Sequence, residues 1–380
     1  LNPLYRFVTY HIIPGKMAFE KLVNHSCEYL YKRGPDSRKP QTKDLTVEVW
    51  NYFTTIGQVP DLLKVTQLPD GGHELYLNRV CDYNNEFDGD YQVKRVKQTG
   101  HGLNILISPN NGAYNNNSLN GYFFPINNLL IKTKEVEKVM GSERIRIDLT
   151  TCLPEIASNN IKNTEYHFFP AGFFDNIINE SSSTNKTYLI SHEQAWTNYQ
   201  ADEFIFAGLF DFVLRIPPVP QSGTYEIRMG FAQNSMRGMA QVYLGDNPNN
   251  LKPMGLPLDL RLAVDNVNNP SLNWQDDVED VSINIENDKN LRNQGYMKGP
   301  KYDHKNDGKG DPTTVVRLLP YGKSSPCIRR IVAQQYMEAN QPYYMRFKSA
   351  LNKADAEFYV DYLEFCPSIV YNGATAEDPW

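Results

Sequence analysis

The chain has 380 residues, of which 41% are hydrophobic and 22% are charged, a composition typical of a globular protein with room for two or three domains. The formal net charge of −6 argues against nucleic-acid binding, which requires a broad basic surface. No stretch reaches the roughly 18 consecutive apolar residues that a membrane-spanning helix requires.

The cysteines are widely separated in the chain. Cys27, Cys81, Cys152, Cys327 and Cys366 include no Cys-x-x-Cys pair. A zinc site of the knuckle type therefore has no ligand set in this sequence. We expect most of these residues to be buried thiols, because a free cysteine packs as a small hydrophobic side chain.

The first third of the chain alternates short apolar runs with turns. Residues 17–31 place apolar side chains on one helical stripe. Residues 62–65 predict a strand, and a return strand at residues 75–77 follows the turn sequence at residues 69–72. Asn120-Gly121 predicts a further sharp turn, after which a short apolar run predicts a buried strand.

Residues 120–130 (NGYFFPINNLL), together with Tyr10-His11-Ile12-Ile13, resemble the second half of a fasciclin-type domain. That family carries a Tyr-His pair and closes with an Asn-Gly turn, an apolar strand and a final leucine. The resemblance covers residues 1–133 and implies an α+β domain with a binding or adhesion role and no enzymatic activity. The opening half of the family pattern has no match here, so we expect that the start of this domain either lies upstream of Leu1 or is replaced by another segment of the chain.

From residue 204 onward, apolar and polar residues alternate with the period of two that is typical of β-strands. The alternation is clearest at residues 225–229, 240–244, 343–347 and 358–362. Turn sequences separate these runs, and no strong amphipathic helix interrupts them. We therefore predict an all-β sandwich over residues 204–380, with residues 134–203 as a connecting region packed on it.

This second pattern is similar to the jelly-roll, galactose-binding-like modules of glycan-handling proteins, in residues 223–228, 241–244 and 358–364. A fasciclin-like domain followed by such a sandwich resembles surface lipoproteins of Bacteroidota that are encoded beside outer-membrane glycan importers. The resemblance implies a non-catalytic accessory protein that binds a polysaccharide or oligosaccharide, or docks on the outer-membrane transporter complex. It also implies a lipid anchor outside this sequence that holds the protein on the cell surface, and no cofactor.

Motifs for catalysis are not evident in the sequence. No Gly-x-Ser-x-Gly turn and no phosphate-binding Gly-x-x-x-x-Gly-Lys loop occurs. Asp361 and Glu364 lie on a predicted strand, and such acids are common on solvated sheets. A glycosidase would need a second acid roughly 5–10 Å away across a cleft. A divergent glycoside hydrolase is thus less favoured, and an adhesion or structural protein that binds another protein is the main alternative.

Residues 303–311 (DHKNDGKGD) resemble a calcium-binding loop, with Asp303, Asp307 and Asp311 as candidate ligands. Lys305, however, occupies the third ligand position, and no glutamate stands at the twelfth. A solvated turn is the favoured interpretation, because Gly, Asp and Asn also dominate ordinary turns. We therefore expect no metal site.

Two tryptophans lie in sequences suited to sugar recognition. A sugar's apolar face stacks on an aromatic ring, while planar amides and carboxylates bind its hydroxyl groups. We interpret Trp274, among Asn273, Gln275 and Asp276, as the main carbohydrate platform, with Trp196 and Tyr199 as the alternative. The competing interpretation is that both tryptophans are core or interface anchors, since tryptophan is mostly buried on average.

Overall fold

The computed structural model describes residues 2–23, 49–67, 74–82, 85–88, 92–95, 99–162, 164, 166–181, 184–191, 199–232, 236–262, 272, 280–299, 301–303, 315–317 and 327–371. Antiparallel β-sheets dominate these residues. The α-helices are Pro3–Tyr10 (α1), Lys134–Met140 (α2), Pro154–Ser158 (α3) and Val281–Asn293 (α4). None of these described helices is long and apolar enough to cross a membrane.

The strands are, in chain order, Val49–Thr54 (β1), Leu62–Gln67 (β2), Leu75–Asp82 (β3), Asn85–Asp88 (β4), Gln92–Arg95 (β5), Thr99–Leu106 (β6), Asn116–Ser118 (β7), Gly121–Phe123 (β8), Ile145–Asp148 (β9), His167–Phe169 (β10), Ile177–Ile178 (β11), Thr184–Ser191 (β12), Asp202–Gly208 (β13), Asp211–Ile216 (β14), Gly223–Ala232 (β15), Met239–Gly245 (β16), Lys252–Asp259 (β17), Tyr296–Lys298 (β18), Lys301–Asp303 (β19), Val315–Arg317 (β20), Cys327–Met337 (β21), Tyr343–Ser349 (β22), Glu357–Val360 (β23) and Tyr362–Pro367 (β24).

The N-terminal part is built on an antiparallel meander of β1, β2, β3 and β6. The predicted strand at residues 62–65 and its return strand at residues 75–77 are confirmed, because β2 pairs with β3, whereas the predicted turn at residues 69–72 lies outside the described residues. Both faces of this sheet are covered: Phe53, Leu63 and Val65 belong to a separate N-terminal core, whereas Tyr52 and Leu62 join the core of the sandwich. This two-sided burial explains why every residue of β2 is buried.

The sandwich consists of three sheets, ordered β10-β12-β13-β23, β11-β14-β22-β16-β17 and β18-β21-β15-β24-β9. β23 and β24 are separated by Asp361 alone, so one stretch of chain joins the first sheet to the third. Ring contacts connect the first sheet to the second: Phe206 stacks on Phe212 with centroids 3.6 Å apart, and Phe347 meets Phe358 at a tilt with centroids 4.7 Å apart. The period-two strands predicted within residues 204–366 are confirmed.

The sandwich begins earlier in the chain than residue 204. β9 pairs with β24, and β12 pairs with β13, so strands from residues 134–203 are integral parts of the sheets. Helix α4 also lies within the region that we predicted to be all-β. The sequence hides it because its residues are mostly polar, and a single apolar side chain, Leu291, is deeply buried among those described in the helix.

The expectations for the N-terminal residues have mixed outcomes. The Asn120-Gly121 turn is confirmed as the tip of the β7–β8 hairpin, in which Ser118 pairs with Gly121. β8 is not the expected buried strand, because the ring of Phe123 is 49% exposed. Of the helix expected at residues 17–31, Phe19–Lys21 forms one 3₁₀ turn, and residues 24–31 lie outside the described residues. The fasciclin resemblance stays a prediction.

A buried ion pair joins the N-terminal sheet to the sandwich. The Lys64 ammonium lies 2.9 and 2.8 Å from the two carboxylate oxygens of Glu143, which also accepts a hydrogen bond from the Tyr52 hydroxyl at 2.8 Å. The same ammonium lies 4.6 Å from the centroid of the Trp50 ring. Because the Lys64 side chain is only 1% exposed, its charge depends on Glu143 for compensation.

We expect Glu143→Gln to lower the free energy of unfolding by about 3 kcal/mol, because removing one partner of a buried pair leaves an uncompensated charge. The double variant Lys64→Met/Glu143→Gln should recover part of this loss. Chemical denaturation measures both. Lys134→Met is the matched control: it removes a pair with Glu137 from a side chain that is 94% exposed, and it should cost less than about 1 kcal/mol. Equal losses for Glu143→Gln and Lys134→Met would contradict the prediction.

Candidate functional site

Three aromatic rings gather on the outer surface of the first sheet of the sandwich. β10 is the edge strand of this sheet, and Phe168 lies directly opposite Tyr188 of β12. Side chains alternate along a strand, so Phe169 points into the core while Phe168 points outward. Phe169 is 9% exposed, whereas Phe168 and Tyr166 are 65% and 58% exposed. We call Tyr166, Phe168 and Tyr188 the aromatic face.

The rings of the aromatic face form a compact triangle. The centroids of Phe168 and Tyr188 are 5.5 Å apart, and Tyr166 lies 6.3 Å from each of the other two. The planes of Tyr166 and Tyr188 differ by 14°, and the other two pairs differ by 28° and 31°. Since two of the three residues are mostly solvent-exposed, the aromatic face exposes apolar ring surface to water.

Charged groups border the aromatic face on its inner side. The Tyr188 hydroxyl donates to Glu357 Oε1 at 3.3 Å, and Arg237 Nη1 donates to Glu357 Oε2 at 2.7 Å. The Arg237 guanidinium also packs over the ring of Tyr359. Burial and then the Glu357 charge raise the pKa of Tyr188 to about 12, so its hydroxyl remains protonated at neutral pH.

The chemistry of this arrangement suits a ligand that is apolar on one face and polar at its rim. Ring surfaces attract flat C–H surfaces, and a carboxylate, a guanidinium and a phenol can exchange hydrogen bonds with hydroxyl groups. A pyranose ring has both features. The aromatic face can therefore stack on a sugar while Glu357 and Tyr188 contact its hydroxyl groups and the buried Arg237 holds Glu357 in place.

Most residues that the sequence singled out for sugar binding cannot be placed. Asn273, Trp274, Gln275, Asp276 and Trp196 lie outside the described residues. Tyr199 is described, and here the expectation of an accessible ring is wrong, since only 3% of the residue is exposed.

The contacts of Tyr199 explain its burial. Its ring meets the edge of Tyr362 at a centroid distance of 5.1 Å, and its backbone N–H donates to Asp361 Oδ2 at 2.9 Å. Both partners lie more than 160 residues away in the sequence, at the end of the sandwich. Tyr199 is thus an anchor of the core.

The candidate calcium loop is also only partly placed. Asp303 is the last residue of β19, where it pairs with Val315 of β20, whereas Asp307 and Asp311 lie outside the described residues. Across the part of the chain that the structure describes, no group of three or more His, Cys, Asp or Glu side chains is arranged to hold a metal ion.

Glu364 and Asp361 are not on a solvated sheet face, contrary to the interpretation of the sequence. Glu364 is fully buried and accepts hydrogen bonds from Arg228 at 2.7 Å, Arg329 at 3.0 Å and Arg146 at 2.8 Å. After the opposing effect of burial, these arginines hold the pKa of Glu364 well below its usual range. A carboxylate so enclosed by guanidinium groups remains ionised and cannot act as a general acid for a substrate in solution.

A second group of buried acids lies beside it. Asp148, Asp202 and Asp361 are each at most 2% exposed. Lys162 Nζ lies 3.5 Å from Asp148 Oδ1, and Thr150 N donates to the same oxygen at 2.7 Å. Burial, followed by the charge of Asp148, raises the pKa values of Asp202 and Asp361 well above the usual range.

The aromatic face could not be found from the sequence, although its residues are conspicuous in retrospect. Residues 166–169 read Tyr-His-Phe-Phe, so aromatic side chains occupy both parities and the pattern does not separate the outer face from the core. Tyr188 adds the third ring through strand pairing, which a single sequence does not reveal.

No protein-family model and no curated protein matches this chain. Among solved structures, it is similar to a xanthan lyase from Paenibacillus, with 10% sequence identity and a TM-score of 0.29. The match covers 86% of this chain and 22% of the lyase chain, so this chain spans about a fifth of the length of that enzyme. Similarity at this level assigns neither a family nor an activity.

The raised pKa values predict a specific pH dependence of stability. A folded-state pKa above the unfolded value of about 3.9 means that the native protein binds the extra proton, so stability falls as pH rises above about 4 toward the raised pKa. Asp202→Asn keeps this site neutral at every pH. The free energy of unfolding of Asp202→Asn should therefore exceed that of wild type by more at pH 7.5 than at pH 4.5.

Thermal and chemical unfolding at the two pH values measure this difference. Asp355→Asn is the control, because that side chain is 82% exposed and its removal should shift stability little at either pH. If Asp202→Asn and wild type lost stability in parallel between pH 4.5 and 7.5, Asp202 would be ionised in the native protein and the prediction would be wrong.

Proposed function

We propose that this protein is a non-catalytic, cell-surface accessory protein that binds a polysaccharide or oligosaccharide through the aromatic face. The observation that carries the proposal is the exposure of Tyr166 and Phe168, at 58% and 65%, beside a half-buried Tyr188 that is hydrogen-bonded to Glu357. Large aromatic side chains normally lie inside a protein. An exposed cluster of them with a polar rim marks a surface that makes contacts with a partner molecule.

The geometry favours a sugar over a protein surface as this partner. The planes of Tyr166 and Tyr188 differ by 14°, and the three rings lie on the outer surface of a sheet, beside the Tyr188–Glu357 hydrogen bond. Protein interfaces place their strongest contacts in fully desolvated, well-packed pockets. An exposed ring surface flanked by hydrogen-bonding groups is better matched to a pyranose than to an apolar protein patch.

The cellular setting of the proposal rests on the sequence resemblance. A fasciclin-like module followed by a jelly-roll sandwich of the carbohydrate-module type supports a lipoprotein on the outer-membrane surface, working beside a glycan importer. In this setting the protein would hold a glycan near the transporter complex or dock on that complex. Pull-downs from detergent-solubilised membranes test this setting. A transporter-sized partner that stays bound to the protein would support the proposed setting, and recovery of the protein alone under all salt conditions would count against it.

One feature favours the second candidate function, adhesion to another protein. Leu4, Val8 and Ile12 in and just after α1 follow one another at four-residue intervals, and they are 66%, 48% and 43% exposed. Such a stripe of apolar side chains is typical of a helix that packs on a partner. The substitution Val8→Ser distinguishes the two candidate functions. Glycan binding should be unaffected by it, whereas the affinity for a protein partner that packs on α1 should fall.

We expect Phe168→Ala and Tyr166→Ala each to weaken glycan binding roughly five- to tenfold, since one ring contact contributes about 1 kcal/mol or somewhat more. Stability should change by no more than about 0.5 kcal/mol, because both rings are exposed. A glycan array identifies the ligand, and calorimetric titration then measures the affinities.

Tyr336→Ala is the matched control for this experiment. Tyr336 is 57% exposed on β21 of a different sheet, so this substitution removes a similar exposed ring that is not part of the aromatic face. The proposal is wrong if a glycan ligand binds Phe168→Ala and Tyr166→Ala as tightly as wild type, or if no glycan binds the wild-type protein at all.

A further inference from the structure

A half-open groove of about 790 Å³ lies between the N-terminal part and the sandwich. Residues 14–21 and 53–57 form one wall, and residues 150–158, 175–176 and 215–217 form the other. Its volume is within the range of about 300–1,000 Å³ that is usual for sites that bind small molecules. The aromatic face lies outside this groove.

Hydrogen bonds across the groove hold its two walls at a fixed separation. Lys16 N donates to Ser158 Oγ at 3.0 Å at one end. Gln200, which is not itself a lining residue, joins two that are: its Nε2 donates to Asn51 Oδ1 at 2.7 Å, and Lys162 Nζ donates to its Oε1 at 2.6 Å. Gln200 has a left-handed backbone (φ 55°), which is unfavourable for a non-glycine residue and persists here under these constraints. The groove is therefore preformed.

The cations of the groove are compensated to different extents. Lys162 is paired with Asp148 at 3.5 Å, and Lys16 lies 5.1 Å from the centroid of the Tyr122 ring. Among the described residues, by contrast, Lys21 and Arg215 have no carboxylate within ion-pair distance. The Lys21 side chain is half-buried, and its burial, reinforced by the Lys162 charge and opposed by Glu20, lowers the pKa of its ammonium group. These two cations lie on opposite walls.

The groove also carries acceptors, which limit the charge of its ligand. Glu20, Glu155 and Asp175 line it together with the four cations, so its formal charge is only +4 − 3 = +1. Glu155 Oε1 accepts from Asp175 N at 3.1 Å, while Glu155 Oε2 is buried without a hydrogen-bond partner among the described residues. Carboxylates can accept hydrogen bonds from hydroxyl groups, so the groove suits a ligand that combines anionic groups with hydroxyl groups.

We propose that the groove binds an oligosaccharide that carries carboxylate groups, that is, a uronate-containing segment. Its carboxylates pair with Lys21 and Arg215, and its hydroxyl groups donate to the carboxylates that line the groove, Glu20, Glu155 and Asp175. This assignment rests on the proposed function, since it names the class of glycan and adds a second contact surface to the aromatic face. A sugar with one negative charge per residue and several hydroxyl groups matches the mixture of cations and acceptors.

Calorimetric titration of the full chain tests this inference with two matched ligands, an oligogalacturonate and the same oligosaccharide after reduction of its carboxyl groups. We expect the uronate form to bind more tightly, with an affinity that falls as salt is added. Lys21→Gln and Arg215→Gln should each weaken it by about tenfold, the usual effect of losing one hydrogen bond to a charged group. Thermal unfolding of each variant verifies the fold.

Lys252→Gln is the control variant, because Lys252 is an exposed cation on β17, outside the groove. The Lys252→Gln protein should bind the uronate ligand as tightly as wild type does. The inference is overturned if Lys21→Gln and Arg215→Gln bind the uronate ligand as wild type does, or if the reduced ligand binds equally well. It is also overturned if only neutral glycans bind, through the aromatic face, and in that case the proposed function stands. The absence of binding to any glycan, acidic or neutral, would reject the proposed function itself.

Discussion

The arrangement of the molecule depends on one buried charge, the ammonium group of Lys64. It lies inside the contact between the N-terminal sheet and the sandwich, where Glu143, Tyr52 and Trp50 surround it. A buried charge is tolerated only where its counter-charge and hydrogen-bond partners are in place, so this contact has one acceptable geometry. The relative position of the two parts, and with it the shape of the groove between them, follows from that requirement.

The sandwich contains a comparable constraint of its own. Glu364 is enclosed by arginines from β9, β15 and β21, so four neighbouring strands, including its own, meet at one carboxylate. Hydrophobic packing tolerates many arrangements of similar volume, whereas a buried network of charges requires particular distances. The outer surfaces of the sheets, where the aromatic face lies, are therefore presented by a scaffold whose strand order is fixed by polar contacts as well as by the core.

The sequence predicts the parts of this fold in which one face of a strand is apolar and the other polar. Residues 225–229 belong to this class, because Tyr225, Ile227 and Met229 enter the core.

Prediction from the sequence fails where the burial of a residue is determined by residues far away in the chain. β9 shows the same alternation as β15, yet its place in the sheet depends on pairing with β24, more than 200 residues later. Tyr199 was interpreted as accessible for the same reason, because Tyr362 and Arg146, which cover its ring, are remote in sequence. Likewise, the aromatic face is assembled by pairing across two strands.

The chain between the groove and the aromatic face is short. Lys162 lines the groove and Tyr166 belongs to the aromatic face, so even a fully extended backbone would separate their Cα atoms by no more than about 14 Å. For a polymer that contacts both surfaces, the second contact forms within the same complex, at an effective concentration in the millimolar range. Such a protein would hold long chains for much longer than short fragments of the same sugars. It would thus retain intact polymer and release the small products of its degradation, without any difference in the chemistry recognised at either surface.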